Sequence, residues 1–101
     1  MMTSEVTVVR IYITEGEQQL SGLMKRLHDW EKVRGVTVFR GISGYGDSGV
    51  MHGVNLLDLS LNLPVVVEFF DTPDKIKAIL VHLEEDIKPG HMVMWQAQIN
   101  Q

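Results

Sequence analysis

From Glu5 to Ile13 the chain reads EVTVVRIYI, where six of nine residues are β-branched and a seventh is aromatic. That mixture suits a pleated, half-buried strand. Thr14 and Glu17 then stand at capping-box spacing, and Leu20, Leu23, Met24, Leu27 and Trp30 recur at threes and fours. The spacing predicts a helix from about Glu17 to Val33, stopped by Gly35. Val36 to Arg40 opens a second strand that reaches Ile42 or Ser43. Pro64 opens a third, Val65 to Phe70, which is apolar on both faces apart from Glu68. Thr72 caps a second helix with Pro73 at its first position, and Ile76, Ile79, Leu80 and Leu83 form its apolar face. Lys88-Pro89-Gly90 ends that helix, and a fourth strand runs from His91 to about Ala97.

The order strand, helix, strand, strand, helix, strand is that of an α+β, ferredoxin-like βαββαβ sandwich. Its four-stranded antiparallel sheet carries both helices on one face. The other face is left bare, and with large apolar groups there a lone monomer would expose a patch that soluble monomers avoid. Association through the sheet into a closed symmetric oligomer is the expected remedy.

Between the second and third strands, Gly41 to Asn62 holds five of the nine glycines: Gly41, Gly44, Gly46, Gly49 and Gly53. It reads as a long loop, and loops of this length in a compact domain are usually functional. Leu57 to Leu63 alternates with period two, which is compatible with a strand.

Composition narrows the function classes. The 101 residues suit one domain spanning 1–101, and 45% apolar against 22% charged residues is a globular balance. No apolar stretch approaches the roughly 20 residues of a membrane span. The N-terminus shows no basic segment followed by an apolar one, so the cytoplasm is the expected compartment. Without cysteine there is no disulfide, thiolate metal site or thiol nucleophile. A net charge of -4, with no basic run longer than Lys25-Arg26, disfavours nucleic acid.

Gly44-Tyr45-Gly46-Asp47-Ser48-Gly49 spells G-x-G-x-x-G after a strand, and Asp71 follows 22 residues beyond Gly49, imitating the dinucleotide fingerprint. A Rossmann unit needs a helix at the third glycine and more parallel βα units than this chain holds. Two readings of the loop survive: backbone N–H groups offered to an anion, or a plain flexible turn. Gly46-Asp47-Ser48-Gly49 also echoes a serine-protease nucleophile segment, but that scaffold far exceeds this chain.

The four histidines show no i, i+4 pair of the metal-binding kind. His28 and His82 suit solvated helix margins, and His52, in the loop, is the functional candidate. Arg10 and Arg40 fall within strands, where a charge needs a partner or ligand. Glu68 or Glu15 would pair them, while Arg40, at the mouth of the loop, is also placed to bind an anion bidentately. Trp30 and Trp95 suit core or interface positions better than stacking platforms. Met92 and Met94 suit an interface, and Glu84-Glu85-Asp86 a solvated helix end.

Several blocks carry a wider resemblance: Arg10-Ile11-Tyr12-Ile13 with Glu15, then Gly35 to Gly46 with its T-V-x-R-G-x-x-G-x-G core followed by His52, then Leu59-Ser60 and Leu63 to Glu68. Over nearly the whole chain these resemble a bacterial and archaeal family of PII-like proteins, the domain of unknown function numbered 190. The resemblance implies a PII-like fold assembled as a homotrimer, and a signalling regulator rather than an enzyme, with no catalytic or metal set. It implies an adenine nucleotide bound in clefts between subunits. It also implies that the loop, here Gly44 to Asn62, contacts a target protein such as a membrane transporter. The ligand-binding residues would be Arg40, Gly41, Gly44, Tyr45, Gly46 and His52.

The chain departs from PII proteins before its last strand, where it has only Lys88-Pro89-Gly90-His91, and it ends at Gln101 without an arginine. A less charged nucleotide or another small anion is therefore an alternative effector. It also departs from the family in its helix exit, His28 to Arg34, and in Gly22 within the first helix. Two other functions share the element order. One is a small dimeric monooxygenase using an apolar cleft of Trp30, Trp95 and His91, and the other a metal-responsive trimer resembling CutA.

Overall fold

The computed structural model describes residues 1–14, 19–46, 49, 52–53 and 63–101. β1 (Thr3–Thr14) leads to α1 (Gln19–Lys25), which continues as a π-helical turn over Arg26–Trp30. β2 (Val36–Arg40), β3 (Ser43–Gly44), β4 (His52–Gly53), β5 (Pro64–Asp71), α2 (Pro73–Leu83) and β6 (Met92–Asn100) follow. β2, β5, β1 and β6 form one sheet in the order β2-β5-β1-β6, with every pairing antiparallel. This is the ferredoxin-like arrangement expected from the element order.

Registers sort the side chains into two faces. Val9 stands opposite Phe69, Ile11 opposite Val67 and Ile13 opposite Val65. This face packs against Leu23 and Leu27 of the first helical segment, Ile76, Ile79 and Leu83 of α2, and Ile87 beyond it. One residue out of phase, Val8 faces Phe70, Arg10 faces Glu68, and Tyr12 faces Val66. Phe39 of β2, with Val93 and Trp95 of β6, continues this second face, and all three stay well exposed. The period-two alternation thus builds the core on one side and the predicted bare apolar face on the other.

The second helix starts as its sequence indicates. The Thr72 hydroxyl accepts from the Lys75 N–H at 3.4 Å, and Pro73 occupies the first turn, where a missing N–H costs nothing. It ends earlier than expected, at Leu83, before a turn that leads to Ile87.

The first helix departs from expectation at its exit. Glu31 N–H donates to Arg26 O at 2.9 Å, a π-type bond, and helical geometry stops at Trp30 instead of Val33. The left-handed residue that turns the chain is Lys32 (φ 52°), not Gly35. Each residue of a π turn advances by less rotation than in an α turn. Trp30, three residues after the buried Leu27, therefore swings off the core face and is 80% exposed, so of the core and interface positions expected of it the core is excluded.

β2 likewise ends at Arg40, and the residues beyond it form the separate ribbon β3–β4 where only a loop was expected. The alternating segment from Leu57 to Asn62, the possible partner Glu15 and the capping residue Glu17 lie outside the described residues. No helix among the described residues is long and apolar enough to cross a membrane.

Candidate functional site at the root of the glycine-rich loop

The loop begins at a tight contact between two strands. Gly41 N–H donates to Pro64 O at 2.7 Å, extending the β2–β5 ladder by one rung. A Cβ on Gly41 would lie 2.8 Å from Pro64 Cγ and 3.2 Å from Pro64 O, closer than real side chains approach. At Gly44 the corresponding distance to Pro64 Cγ is 3.3 Å. Glycine is required here because the backbone must pass directly over the proline ring. Pro64 suits the first residue of a strand, where its missing donor breaks no ladder bond.

Passing over Pro64 turns the chain into β3, where Gly44 stands opposite His52 of β4 and Ser43 opposite Gly53. Between these strands Gly49 N–H donates to Gly46 O at 2.9 Å, with Gly49 in the left-handed region (φ 73°). Tyr45 is 72% exposed. Arg40 stands opposite Val65 and so belongs to the helix-side face of the edge strand, at the mouth of the loop.

The fold thus gathers Arg40, Gly41 and Gly44 around Pro64, sets the His52 backbone opposite Gly44, and leaves Tyr45 and Gly46 at the outer end. Backbone N–H groups beside a cationic side chain form an arrangement suited to an anion. Two elements were missed by sequence reasoning, the two-residue ribbon and the role of Pro64. A two-residue strand has no periodicity to detect, although Gly41 and Gly44 at spacing three were a usable signal.

The dinucleotide mimicry fails structurally. β4 lies three residues after Gly49, where the Rossmann pattern needs a helix. Asp71, which imitates the ribose-binding acid, is 5% exposed and engaged within the fold. Its carboxylate accepts from Thr72 N–H at 2.8 Å and Arg34 N–H at 3.1 Å, and pairs with Lys75 Nζ at 3.2 Å. Burial pushes the Asp71 carboxyl up, but the hydrogen bonds from Thr72, Lys75 and Arg34 together outweigh it and hold the group below its ordinary value.

On the bare face Arg10 Nε donates to Glu68 Oε1 at 2.7 Å, the pairing expected of a strand arginine. Its guanidinium lies 5.8 Å from the Phe39 ring centroid and 5.7 Å from that of Trp95. The hydrogen bond that Arg10 donates to Glu68, followed by the one it donates to Tyr12, raises its pKa further. Trp95 belongs to this face, whereas Trp30 lies in a groove beside His82 on the helical side. The cleft of Trp30, Trp95 and His91 expected for a monooxygenase is therefore not assembled within one chain. Among the described residues no group of three His, Cys, Asp or Glu is placed to hold a metal.

This ferredoxin-like sheet, with its long connection between the second and third main strands, is the fold found in PII-like proteins. The structure of CPII, a nitrogen regulatory PII-like protein from Thiomonas intermedia K12 bound to ADP, AMP and bicarbonate, superposes with a TM-score of 0.71 at 14% identity, covering 99% of this chain and 92% of that one. A putative PII-like signalling protein from Thermus thermophilus superposes at 0.58 with 20% identity, covering 98% and 91%. At these identities the likeness is one of fold. In sequence, residues 6–99 match the DUF190 family, described as uncharacterized ACR, COG1993, and the chain belongs to that family. The UPF0166 protein of Methanocaldococcus jannaschii is 34% identical over 91 residues, 86% of this chain and 83% of that protein. A UPF0166 protein of Aquifex aeolicus is 39% identical over 88 residues, 83% and 80% respectively.

Proposed function

We propose that this protein is a trimeric PII-like regulator, not an enzyme, that binds a small anionic effector in clefts between subunits. An adenine nucleotide is the first candidate. Arg40 supplies the charge, Gly41, Gly44 and Gly46 allow close backbone approach, and Tyr45 and His52 contact the ligand or partner. The loop 44–62 carries the response to a partner protein, a membrane transporter being one candidate.

The observation that carries this reading is the contact of Gly41 and Gly44 with Pro64. It holds a glycine-rich loop root beside Arg40 at the sheet edge, where a neighbouring subunit could complete the site. The nucleotides bound to the PII-like protein of the same fold support the ligand class. The exposed apolar face of β2, β5, β1 and β6 supports self-association.

Thermal unfolding with ATP, ADP, AMP, cyclic nucleotides and divalent metals, run beside a solution-mass measurement, tests the proposal. A ligand at 100 times its dissociation constant adds about 2.7 kcal/mol, enough to raise the midpoint by several degrees in a domain of this size. A nucleotide-dependent rise in a trimer is the expected result. A dimer, or a trimer responding only to metals, would overturn it.

A further inference from the structure

On the helical side, remote from the sheet face and from the root of the loop, lies a groove of about 500 Å³ lined by Gly22, Lys25, Arg26, Trp30, Glu31 and His82. That volume lies within the range of small-molecule sites. Gly22 helps keep it open, since nothing lies within 4 Å of the Cβ it lacks.

The acceptors of the groove are already engaged. Both carboxylate oxygens of Glu31 lie 2.9 Å from His82 Nδ1, and the Glu31 side chain is only 9% exposed. Arg26 is paired with Asp86 and donates to the His82 carbonyl at 2.9 Å. Two donors are not engaged. The Lys25 ammonium makes no hydrogen bond or ion pair among the described residues, nor does the Trp30 indole N–H. The π turn holds that indole outward, and π turns recur at functional sites. A flat apolar wall beside an unpaired cation, with the neighbouring carboxylates of Glu31 and Asp86 already occupied by His82 and Arg26, complements a ligand that is planar at one end and anionic at the other.

We infer that this groove binds a small aromatic or heteroaromatic phosphate or carboxylate, its ring against Trp30 and its anionic group on Lys25. The inference does not depend on the effector site at the loop. Covering the bare sheet face with a second copy leaves the helical side open.

Phenyl phosphate serves as the probe, with Trp95→Phe making Trp30 the only reporter of indole fluorescence. The expected result is a saturable change in Trp30 emission with phenyl phosphate, absent with inorganic phosphate or benzylamine. Lys25→Gln, at an exposed position, should weaken that binding about tenfold, the usual loss for one charge-assisted hydrogen bond. Arg40→Ala should leave it unchanged. An unsaturable response at millimolar probe, an equal response to inorganic phosphate, or full affinity in Lys25→Gln would overturn the inference. Loss of the signal in Arg40→Ala would move the binding to the loop and overturn it as well.

Discussion

The carboxylate of Asp71, at the end of β5, accepts a hydrogen bond from the backbone N–H of Arg34 at 3.1 Å, tying that strand to the turn that enters β2. The same carboxylate pairs with Lys75, whose ammonium also donates to Lys32 O at 2.6 Å. One buried acid therefore fastens the exit of the first helix, the end of β5 and the start of α2.

Asp71 should make stability pH-dependent. Its folded pKa is depressed, so its contribution is present above the unfolded value of about 3.9 and is lost as pH falls through the folded one. Asp71→Asn should cost on the order of 2 kcal/mol at pH 7, with the gap to wild type narrowing below about pH 4. Urea unfolding at pH 7 and pH 3 checks this, and an equal gap at both would show that the charge is immaterial.

Gly41→Ala and Gly46→Ala should behave differently. A methyl at position 41 meets Pro64 at 2.8 Å, whereas nothing lies within 4 Å at position 46. The first should lose about 1–3 kcal/mol by forcing the strands apart, and the second should stay within about 0.5 kcal/mol. Thermal denaturation of the pair decides it; equal melting points would contradict the clamp.

Arg40→Ala should weaken effector binding while leaving the solution mass unchanged. Calorimetric titration with the nucleotide identified by thermal shift, beside light scattering, reads both. Unchanged affinity would remove Arg40 from the site.

Val93 is 46% exposed on the bare sheet face, beside Arg10 and Trp95. Val93→Glu would place a carboxylate in any interface built on that face, a cost of several kcal/mol if it is buried unpaired. For the proposed trimer, light scattering should then fall from three times the 11.4 kDa chain mass toward one. An intact trimer would place the interface elsewhere.

Leu27 has no exposed surface, and Trp30, three residues on, is 80% exposed. Leu27→Ala should cost about 2–5 kcal/mol and Trp30→Ala less than about 0.5 kcal/mol. Chemical denaturation separates the two, and a comparable loss at Trp30 would mean that the indole is packed.

The strands and the start of the second helix were legible in the sequence, because each is written in residues that are neighbours along the chain. Alternation over Glu5 to Ile13 and Val65 to Phe70, and the Thr72-Pro73 cap, depend on period and local hydrogen bonding alone. The element order then leads to a ferredoxin-like sheet with one bare face, and the residues of the T-V-x-R-G-x-x-G-x-G block lead to the family. Tertiary structure decided what depends on distant partners or on helical phase. The π turn rotates Trp30 away from the face its spacing indicates, and only the fold brings Glu31 to His82 across 51 residues. Pro64 becomes the clamp on Gly41 and Gly44 only because β2 and β5 pair in one register. Periodicity records which side of an element is apolar; which residues meet across the sheet edge or between the helices is set by register and packing, and these exist only in the folded chain.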